Sequence, residues 1–166
     1  MNKIMRKNAY LLLIAFTLFF ACKKSKVQNV NLKNSFNSQI LSLKNNDKSD
    51  SLKLDLCSFI PLKWDSLIVV TGYATPRTLK AFNFENQNVV GQFIDMVPEN
   101  SVTLLYIKGN SIVGYSDLPS PSLDFGRISK HYKLGFTIMH ESECGNLMIK
   151  KYIENGKTYF RFDNQP

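Results

Sequence analysis

The sequence predicts an α+β fold: a single domain with a mostly antiparallel sheet built from hairpins and one or two helices packed on it. Three observations lead there: short apolar runs with period-two patterning, two glycine-containing turn pairs between such runs, and one proline-marked helix start. The 166 residues are 44% hydrophobic and 20% charged, which suits one modest globular domain with an appendage. Most of the large aromatic side chains lie from Phe59 onward, enough bulk to fill one core.

Each element has its own signal. Leu52, Leu54 and Leu56 alternate with Lys53, Asp55 and Cys57, the pattern of a half-buried strand. Within 65–72, Leu67, Ile68, Val69 and Val70 follow one another, which predicts a strand covered on both faces. Thr75-Pro76 reads as a helix start, because threonine caps free amides and proline at the first helical position gives up no hydrogen bond. Leu79, Phe82 and Phe84 are its expected buried stripe. Apolar runs at 102–107 and 112–116 flank Gly109-Asn110, a pair suited to a tight hairpin. With Lys108 opposite Ser111, regular pairing sets Ile107 on Ile112 and Leu105 on Gly114 on one face. Tyr106 on Val113 and Leu104 on Tyr115 then share the other. A second hairpin turns at Asn155-Gly156 and opposes Glu154 to Lys157 and Tyr152 to Tyr159. Ile149, Ile153, Phe160 and Phe162 form its apolar face, interrupted by Lys151, so it is expected at the edge of a single sheet.

The formal charge of +8 is confined to the N-terminal third. Lys3, Arg6 and Lys7 face no acid before residue 22. Lys23, Lys24, Lys26, Lys33, Lys44, Lys48 and Lys53 then face only Asp47 and Asp50. From Leu54 to the end, bases and acids balance. A groove that tracks phosphates needs its lysines and arginines in the folded domain, so the reading is no nucleic acid. Three cysteines are too few for a small disulfide scaffold, and no uncharged run reaches the ~20 residues of a membrane-spanning helix.

The basic stretch Met1–Lys7 precedes an uncharged run from Asn8 to Cys22, the charged-then-apolar layout of a secretory signal. The run ends Phe19-Phe20-Ala21-Cys22 and is followed by Lys23-Lys24-Ser25-Lys26. It resembles the lipobox signal peptide of bacterial lipoproteins, with a small residue before the cysteine and Phe19 where that pattern usually has leucine. The resemblance implies cleavage before Cys22, a diacylglycerol on its thiol and an acyl group on its new amino terminus. Residues 1–21 are then the signal peptide, and the partner is a membrane reached through the lipid anchor at Cys22. Two acyl signals suffice for firm attachment. Lys23 in place of aspartate implies an outer-membrane location, with the domain facing the periplasm of the cell envelope. Residues 22–51, rich in Asn, Ser and Lys, are expected as a flexible basic tether, because such a composition buries too little surface to offset ordering. Phe36, Ile40, Leu41 and Leu43 allow one or two amphipathic turns within it. Residues 52–166 are the expected globular domain.

With Cys22 acylated, Cys57 and Cys144 form an even pair and a disulfide candidate in an oxidising compartment. His131, His140 and Glu143 offer metal-binding groups, but their spacing matches no ligand pattern, so neither a metal nor a cofactor is assigned. No Gly-x-Ser-x-Gly elbow, glycine-rich phosphate loop or His-Glu-x-x-His pair is present, so no catalytic residue is named. The segment from Phe59 through Trp64-Asp65 to Gly72-Tyr73 resembles uncharacterised small secreted or lipidated bacterial proteins with a Trp-Asp and Tyr pattern, a family that implies no function. Trp64, Tyr73 and Arg77 are the binding candidates at one end of its apolar strand. The functional expectation is a noncatalytic envelope lipoprotein that binds an envelope protein partner, as an assembly, inhibitor or immunity component. The alternative is a small periplasmic hydrolase acting on an envelope polymer, with a metal carrier third.

Overall fold

The computed structural model describes residues 27–71, 74, 76–89, 101–119, 123–125, 128, 131–133 and 136–163. The fold is mostly sheet, with two helices. In chain order the elements are β1 (Gln28–Asn29), α1 (Lys33–Lys44), β2 (Ser51–Leu54), β3 (Ser66–Thr71), α2 (Pro76–Lys80), β4 (Ser101–Lys108) and β5 (Ser111–Pro119). Then come β6 (Leu123–Asp124), β7 (His131–Lys133), β8 (Phe136–His140), β9 (Leu147–Glu154) and β10 (Lys157–Asp163).

Two sheets replace the single sheet expected. One has six strands in the order β1-β5-β4-β3-β8-β7, the other four in the order β2-β9-β10-β6. Both are mixed, because the short β1 and β6 run parallel to β5 and β10 and every other pairing is antiparallel. The division falls between β8 and β9, where a 3-10 turn at Glu141–Asn146 redirects the chain. The second hairpin therefore occupies the middle of the smaller sheet, flanked by β2 and β6, and is not an edge hairpin.

The larger sheet is covered on both faces. Leu67, Val69, Leu104, Tyr106 and Met139 on one face join Leu54, Ile149, Phe160 and Phe162 of the smaller sheet in one core. Ile68, Val70, Leu105, Ile107, Ile112 and Phe136 on the other face pack with Leu79 and Phe84 in a second. This is why the run 67–70 is apolar without alternation. The helix predicted at Thr75-Pro76 is found over Pro76–Lys80, Thr75 itself lying outside the described residues. Leu79 is fully buried, but Phe82 and Phe84 follow the helix, where Asn83 adopts a φ of 53°. Their rings stack at 5.6 Å, and Phe82 meets Phe136 edge-on at 5.7 Å.

The segment expected as a tether is instead part of the fold from residue 27 onward. Val30, Leu32, Phe36 and Leu43 are all buried in the first core. Phe36, Ile40 and Leu43 recur at helical spacing and form the inward stripe of α1, while Asn31 Oδ1 accepts the amide of Lys33 at its start. At its far end, Lys151 donates to the carbonyl of Asn46 at 2.9 Å and lies 3.6 Å from Asp50. Low average hydrophobicity misleads here, because most of the few apolar residues are placed where one face can bury them.

The first hairpin keeps the predicted Lys108–Ser111 and Ile107–Ile112 pairs and then slips by one residue. A bulge at Val113 puts Gly114 opposite Tyr106, Tyr115 opposite Leu105 and Ser116 opposite Leu104. Crowding explains the choice. A Cβ at Gly114 lands on Leu62 Cδ1, 2.9 Å from the carbonyl oxygen of Gln28 and 3.3 Å from the Tyr106 ring. Gly114→Ala is therefore expected to cost about 1–3 kcal/mol, since the Gln28 backbone has to move. Faster amide exchange at Gln28 and Asn29 is the measurement that checks it. The second hairpin has the predicted register, with Asn155 and Gly156 both at positive φ.

Beneath the bulge lies a buried polar chain. The Tyr106 hydroxyl and Ser116 Oγ are 2.7 Å apart, and Ser116 Oγ donates to the carbonyl of Val30 at 2.5 Å. Tyr106 is the donor in the first bond, which leaves every group satisfied. Burial pushes the Tyr106 hydroxyl well above its ordinary 10.0, with the Ser116 bond opposing only in part. A raised folded-state value gives a contribution that is complete below pH 10.0 and lost as pH rises through the folded-state value. Tyr106→Phe is expected to cost about 1 kcal/mol at neutral pH and to flatten the alkaline fall in stability. Ser116→Ala costs more, since it strands both Tyr106 and the Val30 carbonyl. Denaturant midpoints at neutral and alkaline pH test both.

Candidate functional site

The elements that hold the fold together also dispose of the sequence candidates. Trp64 is 3% exposed and packs in the first core, its ring 6.2 Å from that of Tyr106. Asp65 beside it is structural: its Oδ2 accepts the amide of Gly109 at 2.6 Å and ties the first hairpin turn to the entrance of β3. Arg77 is exposed on α2, whose Leu79 packs on the opposite face of the larger sheet. Tyr73 lies outside the described residues. Trp64 and Arg77 are thus separated by a sheet, and the shallow site expected from them is not assembled. Trp64 precedes β3 and Arg77 follows it, so a six-residue strand of roughly 20 Å runs between the two positions.

Cys57 and Cys144 are joined by a disulfide, with Cα atoms 5.4 Å apart. Cys57 opens the 3-10 turn after β2, and Cys144 lies in the turn that leads from the larger sheet to the smaller. The amide of Leu56 donates to the carbonyl of Cys144 at 2.9 Å, so the bridge reinforces the seam between the sheets. His140 and Glu143 cap this same turn reciprocally: the imidazole accepts the Glu143 amide, and Glu143 Oε2 accepts the His140 amide at 2.7 Å. Among the described residues no cluster of three or more His, Cys, Asp and Glu is placed to hold a metal. His131 sits in β7 opposite Ile138, and its side chain lies outside the described residues. Cys22 also lies outside them.

A groove of about 730 Å³ opens between α1 and the β9–β10 hairpin, within the roughly 300–1,000 Å³ range of ligand sites. Asn37, Ile40, Leu41 and Lys44 form the helical wall, and Lys157, Thr158, Tyr159 and Phe160 the strand wall. Its existence follows from the α1 stripe. Phe36 and Leu43 dip into the core, so Leu41, one position off that stripe, is left 54% exposed. Across the groove Ile153 pairs with Thr158 at the hairpin tip, one position beyond the cover of the core, and is 73% exposed. These two are the large hydrophobic side chains that the described residues expose; Leu41 lines the groove, and Ile153 is the cross-strand partner of Thr158 in its strand wall. Its ionisable lining is two lysines and Tyr159, with no carboxylate or imidazole.

The outer face of the hairpin is self-satisfied by comparison. Tyr152 and Tyr159 stack at 5.5 Å, Arg161 lies over the Tyr152 ring at 5.3 Å, and Lys150 pairs with Asp163. The groove was not legible as a site in sequence. The only local hints were Leu41 off the helical stripe and Ile153 next to a turn.

No protein-family model, no curated protein and no solved structure matches this chain. Among the described residues no helix is long and apolar enough to cross a membrane.

Proposed function

We propose that this chain is a lipid-anchored envelope lipoprotein, attached through Cys22 on the periplasmic side of the outer membrane, whose single α+β domain serves as a noncatalytic binding module. The anchor reading is supported by the basic, then apolar, then cysteine order of residues 1–22. The Cys57–Cys144 bridge is in keeping with an oxidising compartment. The observation that carries the binding reading is the groove, where Leu41 holds apolar surface in water beside two lysines and the exposed Ile153 pairs with Thr158 of the strand wall. A hydrolase most often works through carboxylate or imidazole groups paired at such a concavity, and this lining holds neither.

Two measurements test the proposal. In membranes from the native host, the N-terminal peptide is expected to begin at Cys22 with an acylated mass, and globomycin is expected to leave the signal uncleaved. Recovery of unmodified Cys22 overturns the anchor. In a pull-down from detergent-solubilised envelope, Leu41→Glu with Ile153→Glu is expected to lose the components that the wild type retains. Turnover of an envelope polymer by the protein, with no component retained, reverses the ranking in favour of the hydrolase.

A further inference from the structure

We infer that the groove between α1 and the β9–β10 hairpin is a docking surface for anionic phospholipid, so that the domain lies against the bilayer rather than swinging from its anchor. The groove's composition is amphiphilic in the sense a lipid surface demands. Leu41 is exposed on the helical wall, Ile153 is exposed as the cross-strand partner of Thr158 in the strand wall, Ile40 and Phe160 continue the apolar surface inward, and Lys44 and Lys157 stand beside them. Apolar side chains of this kind enter the headgroup and acyl boundary, while lysine stems lie along apolar surface and keep their ammonium groups among the phosphates. The complement is anionic because the lining carries two positive charges and none of the opposite sign. Lys33 at the start of the same helix adds to the field, and α1 contains no acid at all.

Chain length keeps the domain close to the bilayer. This step rests on the membrane-anchored reading. Val27, where the described fold begins, is five chain steps beyond Cys22. At about 3.3–3.6 Å per extended residue they span at most roughly 18 Å. A body held that close samples the headgroup layer continuously, so even a weak groove is occupied at high effective concentration. An acidic peptide shares the charge requirement but gives no reason for Leu41 and Ile153 to stand exposed beside the lysines.

The test uses the full chain bound to vesicles, either of phosphatidylcholine alone or of phosphatidylcholine mixed with phosphatidylglycerol, and reads amide hydrogen exchange peptide by peptide. Slower exchange across residues 37–44 and 153–160 is expected only with phosphatidylglycerol present, and it is expected to be lost at high salt. Leu41→Glu with Ile153→Glu abolishes the protection; both side chains are exposed, so the rest of the exchange map stays as in the wild type. Lys44→Gln with Lys157→Gln lowers groove occupancy by about 30-fold, from about fivefold per lysine at an anionic surface. Equal exchange on both vesicle types, with the chain still sedimenting with them, overturns the docking surface and leaves the anchor intact. Protection on anionic vesicles by a chain with unmodified Cys22 supports the groove and sinks the anchor. Equal protection by soluble polyglutamate in place of vesicles overturns the assignment to lipid in favour of an acidic peptide.

Discussion

Removing the Cys57–Cys144 bridge is expected to destabilise the fold by about 4–5 kcal/mol, the value that chain entropy assigns to a loop of this size. The two cysteines are 87 positions apart, and the loop they close contains α2, β6 of the smaller sheet, and β3, β4, β5, β7 and β8, which are all the strands of the larger sheet except β1. Without the bridge the unfolded chain regains the freedom to separate these ends, while the folded chain loses a clasp at the turn that carries the chain from β8 of the larger sheet to β9 of the smaller. A domain of this size has about 5–15 kcal/mol in total, so the loss is a large share of it. The measurement is the denaturant midpoint of Cys57→Ala with Cys144→Ala, set against wild type with and without reductant. Cys144 is fully buried, so the reduced wild type separates the loss of the covalent link from the loss of a packed sulfur. An unchanged midpoint in both comparisons removes the bridge from the account of stability.

Phe36→Ala is expected to cost about 3–5 kcal/mol, the range for emptying a buried aromatic site. Phe36 is 4% exposed, and its ring begins an aromatic chain through Phe125 at 5.8 Å to Phe162 at a further 5.3 Å. That chain joins α1 to the smaller sheet. If residues 27–50 were a solvated spacer, the same substitution would shift stability by no more than about 0.5 kcal/mol. Leu41→Ala is the control. It lies in the same helix, is 54% exposed, and is expected to leave the midpoint within about 0.5 kcal/mol of wild type. Proteolysis in the 45–50 connection is expected to accelerate in Phe36→Ala and not in Leu41→Ala.

The strands that announce themselves in sequence are those whose signal is local. β3 was legible because a strand covered on both faces carries no polar residue to interrupt it, and the second hairpin because Asn155-Gly156 suits the positive φ values its turn requires. β1 and β6, two residues each, were invisible: a parallel pairing with a distant strand leaves no mark on the two residues that make it. β8 had the short apolar run Phe136, Ile138 and Met139 as a hint, but nothing nearby names β3 as its partner. The register of the first hairpin failed at Val113 for a steric reason located elsewhere, since Leu62 and Gln28 crowd the position that only Gly114 can fill.

The candidate site shows the same division. Trp64 drew notice as the single tryptophan, yet a large apolar ring beside a buried strand is core material before it is a binding surface. The groove residues drew no notice, because Leu41 and Ile153 are ordinary apolar residues until the helix and the hairpin are set side by side.

Sequence alone determined what depends on neighbours along the chain: the charge confined to the N-terminal third, the signal-like apolar run, the turn pairs and the apolar strands. Tertiary structure decided the rest: two sheets where one was expected, a packed helix where a spacer was expected, and a groove walled by α1 and β10. The physical reason is that turn geometry and periodicity act over a few residues, whereas burial is a property of surfaces. Which apolar side chain is covered, and which is left in water, is settled only when elements more than a hundred residues apart come into contact.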